Sequence, residues 1–132
     1  MTDTKRPTLE QVQEFHEAFG LPVLDAPTIP KERLEMRLGL LEEEMRELRE
    51  AAEAGDLTEV YDALLDIQYV LDGTFLEFGM QGLKDIGFAE VHRSNMSKLG
   101  EDGKPIYRED GKVLKGPNFF RPDLAALLAK HR

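Results

Sequence analysis

Two apolar helical runs that carry acidic residues constrain this chain more than any other feature of its sequence. The first run, residues 40–48, places Glu44 and Glu47 one helical turn apart. The second run, residues 62–70, carries Asp62 and Asp66 with a similar one-turn spacing. Carboxylates among apolar residues are costly unless they face a metal, a cavity or a basic partner. The two runs therefore predict a site at which acids from two helices meet.

End signals and apolar periodicity predict four main helices and a short fifth one. The first helix begins with Thr8 as its N-cap residue and ends at Gly20. The others run from Pro30 to near Gly55, from Asp56 to Gly79, from about Leu83 to Leu99, and from Asp123 to Lys130. Asp56 with Glu59 three residues later is typical of a capping box.

The chain changes character after Gly100. The sequence Asp-Gly-Lys occurs at residues 102–104 and again at 110–112, and an Asp-Gly pair between extended segments indicates a tight turn. Residues 101–117 are therefore predicted to form a β-hairpin tail. The predicted fold is all-α, a four- to five-helix bundle with this short C-terminal β-hairpin, in one domain over residues 1–132.

The third helix is apolar on nearly every side, with Leu64 and Phe75 on one face and Leu65 and Leu76 behind it. One layer of helices would leave part of this surface in water. We therefore expect a second subunit to complete the core. On the second helix, Leu34, Leu38, Leu41 and Met45 are predicted to share one core-facing stripe.

A polar stripe runs down the third helix. It consists of Glu59, Asp62, Asp66, Gly73 and Glu77. The stripe needs a metal, a cavity or a basic partner opposite it, because the rest of the helix is apolar.

The net charge of −9 argues against binding to nucleic acid, which needs a basic surface. The charge is uneven, since residues 92–132 hold 9 Lys and Arg against 5 Asp and Glu. There is no Cys, which excludes disulfides and thiolate chemistry. No apolar run is long enough for a membrane span or a signal peptide, so the expected partners include no membrane and the expected location is cytoplasmic.

The four acids Glu44, Glu47, Asp62 and Asp66 form the predicted metal site. The short connection over residues 54–57 favours antiparallel packing, which lets the two pairs converge. Converging carboxylates repel each other unless a divalent cation neutralises them. The chain has only three histidines, so oxygen-ligated Mg²⁺ or Mn²⁺ is favoured over zinc.

Mg²⁺ bound by protein carboxylates usually also binds substrate phosphate, which predicts a phosphoanhydride substrate. Glu43, Glu44 and Glu47 are the catalytic candidates. The attacking water could be bound to the metal or aligned by a spare carboxylate such as Glu43. Lys98, Lys112 and Lys115 could bind the phosphates.

The chain resembles the MazG-like, or phosphoribosyl-ATP-pyrophosphohydrolase-like, all-α pyrophosphohydrolases. Their first motif, E-E-x-x-E, matches Glu43, Glu44 and Glu47. Their second motif, E-x-x-D, matches less well, because aligning its aspartate with Asp66 puts Ala63 where the glutamate belongs. Residues 92–99 with the tail to residue 117 look like one subgroup, whose members place the Asn and Lys of this helix at the substrate. By this resemblance, Asn95 and Lys98 bind substrate.

The resemblance implies a Mg²⁺-dependent nucleoside triphosphate pyrophosphohydrolase that forms a dimer or a dimer of dimers. Such enzymes cleave between the α- and β-phosphates, and small ones often clear unwanted nucleotides. The alternatives are hydrolysis of a phosphoribosyl-ATP-type substrate and an inert helical binding or regulatory module. Either Asp62 or Glu59 could complete the second acid pair, since Glu59-x-x-Asp62 matches the motif one turn earlier.

For several residues, packing competes with a functional role. Phe15 and His16 could line a base pocket, but packing in the core is the favoured interpretation. Tyr69 could orient a ligand or fill an interface. These alternatives are open at the level of sequence.

Overall fold

The computed structural model describes residues 3–131, and these residues form two compact units. Unit 1 comprises the described residues up to Gln81, and unit 2 begins at Gly82. The helices are α1 (Thr8–Ala18), α2 (Lys31–Glu53), α3 (Leu57–Glu77), α4 (Lys84–Met96) and α5 (Leu124–Lys130), with a 3₁₀ turn at Gln81–Leu83. The all-α prediction is confirmed.

Glycines end the three helices of unit 1, as predicted. Gly20, Gly55 and Gly79 each have a φ between 66° and 69°, a left-handed conformation that other residues rarely adopt. At the start of α3, the side chain of Asp56 accepts a hydrogen bond from the backbone N–H of Glu59 at 3.1 Å, as the predicted cap requires. The ends of these helices are therefore set by local sequence.

The prediction that Thr8 caps α1 is wrong. Pro7 occupies the N-cap position, and no side chain caps the helix there. Thr8 is the first helical residue, and its hydroxyl donates a hydrogen bond to the buried carboxylate of Asp72 at 2.7 Å. A buried carboxylate needs hydrogen-bond donors more than an exposed helix end does, and Thr8 therefore joins α1 to α3.

In unit 1, α2 and α3 pack as an antiparallel pair, and α1 packs against α3. The fully apolar core is small and centres on Val12, Ala51, Ala63 and Leu76. Much of the remaining interior is polar, since the side chains of His16, Arg37, Asp72 and Glu77 are also buried. The ring of His16 lies with Nδ1 3.0 Å from the carbonyl oxygen of Pro22, which matches the predicted packing role of this residue.

The predicted core stripe of α2 is partly wrong for the single chain. Leu38 and Met45 are exposed, whereas Arg37 and Ala51 are buried and Glu44 is half-buried. Arg37, Glu44 and Ala51 are spaced by seven residues, and so they share one face of the helix. That face packs against α3. Arg37 can be buried there because the carboxylate of Glu77 on α3 offsets its charge.

Several apolar side chains on α3 are exposed in the single chain. Leu57 is 82% exposed and Tyr61 66%, and Leu64 and Leu65 are each about half exposed. The sequence predicted that a single chain could not cover α3, and the exposure of these residues is consistent with that prediction. Among residues 3–131, no helix is long and apolar enough to cross a membrane.

In unit 2, a folded-back tail contacts α4. The hydroxyl of Ser94 donates to the carbonyl oxygen of Phe120 at 2.8 Å, and the N–H of Phe120 donates to the hydroxyl of Ser97 at 3.1 Å. The N–H of Gly116 donates to the carbonyl oxygen of Lys98 at 2.8 Å. Arg93 stacks over the ring of Phe120. The C-terminal segment is thus held on α4 largely through backbone groups.

The predicted β-hairpin is present only as a single antiparallel bridge between Tyr107 and Val113. Two further backbone hydrogen bonds flank the bridge, from Arg108 to Lys112 and from Leu114 to Ile106. The described part of the chain has no strand, since Pro105 and the turn at Gly111 leave room for little pairing.

Candidate functional site

Three carboxylates from α2 and α3 meet at one point in unit 1. Glu44 and Glu47 lie on α2 and Asp66 lies on α3, and one oxygen of each falls within 4.8 Å of the others. Glu44 and Asp66 are half-buried, whereas Glu47 is exposed. The sequence predicted all three residues for this site, and antiparallel packing of the two helices brings them together.

Burial and mutual repulsion make these acids hard to ionise. Burial, a hydrogen bond to Glu47 and the negative charges around it raise the pKa of Glu44 to about 7. Burial and the charges of Asp62 and Glu47 also raise the pKa of Asp66. In addition, the Oε2 atom of Glu44 is buried and has no hydrogen-bond partner within residues 3–131. A carboxylate oxygen buried in this way requires a positive partner.

The donor set fits a hard divalent cation. All the candidate ligand atoms are carboxylate oxygens, which Mg²⁺ and Mn²⁺ prefer, and the cluster contains no histidine. Within the described chain, this is the one group of three or more His, Asp or Glu residues whose ligand atoms lie this close together. Glu44, Glu47 and Asp66 are therefore the residues that could hold a cation.

The other predicted acids lie near this cluster but outside it. Asp62 is exposed, and its negative charge raises the pKa of Asp66. Glu43 is exposed and contributes to the raised pKa of Glu44. Glu59 and Asp62 line an open cavity of about 300 Å³ together with Glu47. Of the two candidates for the second acid pair, Asp62 is thus linked electrostatically to the cluster.

The predicted substrate-binding residues Asn95, Lys98 and Lys115 all belong to unit 2. Asn95 is exposed, and Ser94 is the buried polar residue of α4. Ser94 faces inward because its hydroxyl satisfies the backbone of Phe120. Lys98 is half-buried, and the Nζ atom of Lys115 lies 5.0 Å from the centre of the Phe119 ring.

The aromatic residues of α1 lie on the α3 side of unit 1. The ring of Phe15 stacks on Phe19 with ring centres 4.3 Å apart and contacts the edge of Tyr69 at 5.6 Å. Burial raises the pKa of Tyr69. Phe15 and Tyr69 remain partly exposed, whereas His16 is buried.

Glu77, the last residue of the polar stripe on α3, has partners that were not predicted from the sequence. Glu77 is fully buried and accepts hydrogen bonds from Arg33 and Arg37 of α2. The sequence signal for this contact was the one-turn spacing of Arg33 and Arg37 on α2. Arg37 lies two turns before Glu44 on the same helix. Arginine is so rarely buried that this signal was weak.

A model of the phosphoribosyl-ATP pyrophosphohydrolase family matches residues 12–95, a span that includes the three clustered acids. The chain belongs to this family. Pyrophosphohydrolases cleave phosphorus anhydrides, and this family member is therefore a hydrolase of that class. The matched span reaches Asn95 and stops before Lys98 and Lys115.

Among solved structures, the chain is similar to a candidate NTP pyrophosphohydrolase from Exiguobacterium sp. 255-15. The two chains are 29% identical over 96% of this chain and 95% of the other, with a TM-score of 0.46. No curated protein matches the chain.

Proposed function

We propose that this pyrophosphohydrolase is a Mg²⁺-dependent enzyme that hydrolyses nucleoside triphosphates between the α- and β-phosphates. The products are the nucleoside monophosphate and pyrophosphate. The observation that carries the proposal is the convergence of Glu44, Glu47 and Asp66 in a chain whose family cleaves phosphoanhydrides. Clearing unwanted nucleotides from the cytoplasmic pool is the proposed role.

Glu44, Glu47 and Asp66 would hold the divalent cation, and Asp62 would complete the set. The Oε2 atom of Glu44 is buried and has no hydrogen-bond partner among residues 3–131. This observation and the raised pKa of Glu44 both favour a positive partner at this position. When bound, Mg²⁺ or Mn²⁺ supplies positive charge that stabilises the phosphate oxygens and promotes ionisation of water.

Glu43 is the proposed water-orienting acid. It precedes Glu44 directly in α2, and its carboxylate is exposed and so accessible to a water molecule. An exposed carboxylate can accept a hydrogen bond from the attacking water and then its proton. Glu43, Glu44 and Glu47 are thus the proposed catalytic acids, with distinct roles.

Asn95, Lys98 and Lys115 of unit 2 are the proposed substrate-binding residues. An ammonium group binds phosphate as a point charge, and an amide side chain can both donate and accept hydrogen bonds. The excess of basic residues in the C-terminal part of the chain supports a role in binding the anionic substrate.

We also propose that the chain works as a homodimer or a dimer of dimers. The exposed apolar side chains of Leu57, Tyr61 and Leu64 lie one turn apart along α3, and they would be covered by a second copy. Burying such a row removes apolar surface from water, which is the main driving force of stable association.

The family description favours one alternative substrate, phosphoribosyl-ATP. The two substrates can be distinguished by incubating the protein with Mg²⁺ and either a panel of nucleoside triphosphates or phosphoribosyl-ATP, and then quantifying pyrophosphate and orthophosphate. The proposal predicts pyrophosphate from at least one ordinary or modified triphosphate. Orthophosphate as the only product would contradict α–β cleavage, and turnover of phosphoribosyl-ATP alone would establish the alternative. No turnover at all would favour an inert binding module.

A further inference from the structure

Arg33, Arg37 and Glu77 form an ion cluster between α2 and α3. Arg33 donates to both oxygens of Glu77, at 2.7 and 3.0 Å, and Arg37 donates to Glu77 Oε2 at 3.0 Å. Arg37 also donates to the carbonyl oxygen of Val70 at 2.7 Å and to the hydroxyl of Thr74 at 3.3 Å. Arg37 is only 4% exposed and Glu77 is fully buried, so the geometry of the cluster is strongly constrained.

Gly73 allows Arg37 to lie this close to α3. A Cβ atom at this position would fall 2.6 Å from Arg37 Nη2 and 2.8 Å from His16 Nε2. Only glycine therefore leaves room for the guanidinium in its present place. Gly73 is thus the position on α3 against which the guanidinium of Arg37 packs.

The ion cluster is in register with the acid cluster. On α2, seven residues separate Arg37 from Glu44, and on α3 seven residues separate Asp66 from Gly73. Seven residues are about two helical turns, or roughly 10 Å along the axis. The two helices are antiparallel, so the contact of Arg37 with Gly73 and the contact of Glu44 with Asp66 belong to one alignment of the pair.

We propose that Arg33, Arg37 and Glu77, with Gly73, are positioning residues that set the register at which Glu44 and Glu47 meet Asp66. They do not touch the substrate, and they act through the three carboxylates. The inference rests on the proposed function in one respect, namely that these carboxylates hold a cation.

Hydrogen-bond geometry makes this cluster suited to fixing register. Apolar helix faces tolerate sliding, since one apolar contact can replace another. A slip by one turn, about 5.4 Å, would instead break the hydrogen bonds of the buried Arg37 to Val70 and Thr74 and take one of the two arginines away from Glu77. The three clustered carboxylates repel each other, and they would otherwise favour such a slip or a separation of the helices.

The ion cluster is a weak source of stability compared with apolar residues of similar volume. Removing charges from water costs about as much free energy as the pairing returns, and apolar replacements of whole buried ion clusters are often neutral or stabilising. Stability and positioning can therefore be separated by experiment.

The decisive variant replaces the whole cluster, with Arg33→Met, Arg37→Met and Glu77→Leu together. We expect its midpoint of urea unfolding to equal or exceed that of the unchanged protein. Its affinity for Mn²⁺, measured on the metal-free protein by electron paramagnetic resonance, should fall at least tenfold. Mn²⁺ binding as tight as that of the unchanged protein would overturn the proposal.

A distance measurement tests register without any metal. The chain has no Cys, so spin labels at Glu35→Cys on α2 and Thr58→Cys on α3 would be the only labels, and both sites are exposed. The two sites lie near opposite ends of the helix pair. Labelled chains are diluted with an excess of unlabelled chain, so that only distances within one subunit are measured. We expect one narrow distance distribution in the otherwise unchanged protein, and a broadened or shifted one in the triple variant. Identical distributions would contradict the inference.

Gly73→Ala provides a smaller change, in case the triple variant does not fold. It should displace the guanidinium of Arg37 and weaken Mn²⁺ binding at least threefold. Gly39→Ala on α2 is the matched control, since a Cβ there meets nothing within 4 Å, and it should leave Mn²⁺ affinity unchanged. Equal Mn²⁺ affinities for the two alanine variants would overturn the positioning role.

The two proposals fail in different ways. If the unchanged protein binds no Mn²⁺, the proposed metal site is wrong, and the spin-label distances alone decide whether the ion cluster sets register. If the unchanged protein binds Mn²⁺ and all variants bind it equally well, only the positioning role is wrong.

Discussion

Glu44 and Asp66 face each other across α2 and α3, and burial, the neighbouring Glu47 and the charge of Asp66 together raise the pKa of Glu44 to about 7. This relationship couples the fold to the proposed chemistry. Two neighbouring carboxylates repel each other when both are ionised, and a bound cation offsets that repulsion. The metal-free protein should therefore show the cost of that repulsion directly.

The first prediction concerns stability and pH. The pKa of Glu44 is raised in the folded state, so the folded protein holds a proton that the unfolded chain releases from about pH 4.5 upward. The contribution of Glu44 to the stability of the metal-free protein should therefore fall as pH rises from about 4.5 to about 7 and then level off. Glu44→Gln removes this penalty and should stabilise the metal-free protein by about 1 to 2 kcal/mol at pH 8, but hardly at pH 4.

Urea unfolding of the metal-free protein at the two pH values measures this effect. Glu43→Gln is the matched control, since Glu43 is the exposed neighbour in the same helix turn. If the two substitutions change the free energy of unfolding equally at pH 8, Glu44 is no harder to ionise than its exposed neighbour.

The second prediction concerns cation binding. Asp66→Asn and Glu47→Gln each remove one charged ligand and should weaken Mg²⁺ or Mn²⁺ binding by at least tenfold, with little change in helix content. Isothermal titration of the metal-free variants measures the affinity. Glu59→Gln serves as the control, because Glu59 lies outside the three-acid cluster. This substitution should change the affinity for the cation by less than threefold. A larger loss for Glu59→Gln than for Asp66→Asn would move the site one turn toward the start of α3.

The sequence was sufficient to predict much of the fold. The ends of α1, α2 and α3 follow from Gly20, Gly55 and Gly79, because only glycine readily takes the left-handed conformation at these points. The pairing of acids across α2 and α3 followed from their spacing and from the short connection between the helices. These are local signals, and they do not depend on the rest of the chain.

The interior of unit 1 was harder to predict. Sequence reasoning favoured Leu38 and Met45 as core residues, yet both are exposed, and Arg37 takes the inward position. From hydrophobicity alone, leucine is expected at a buried position before arginine. Arg37 is buried instead because it pairs with Glu77 on another helix. Such a reversal depends on a long-range contact, which periodicity within one helix does not reveal.

The third prediction concerns the start of α3. Asp56→Ala removes the oxygen that accepts the N–H of Glu59 and should destabilise the protein by about 1 kcal/mol. Thermal or urea unfolding measures this loss. The exposed Glu53→Ala in the last turn of α2 is a control that should change stability by less than half as much. No difference between the two variants would show that the cap contributes nothing.

The fourth prediction concerns assembly. Light scattering at micromolar concentration should give the mass of a dimer or a tetramer. Leu64→Glu places a charge within the exposed apolar row of α3 and should reduce the mass toward that of a monomer, because burying an unpaired charge is costly. Ile29→Glu, at an exposed apolar site outside the helices, should leave the mass unchanged. A monomeric unchanged protein would remove the need for a second subunit.

The most direct test of the central claim is the stoichiometry of the reaction products. With Mg²⁺ and an accepted nucleoside triphosphate, phosphorus NMR should show one pyrophosphate and one nucleoside monophosphate for each substrate consumed, with no orthophosphate. Chelation of the metal should stop the reaction, and Asp66→Asn should slow it at least a hundredfold while the helices remain folded. Release of orthophosphate and nucleoside diphosphate, or an Asp66→Asn variant of near-normal activity, would contradict the assignment of this acid cluster to α–β cleavage.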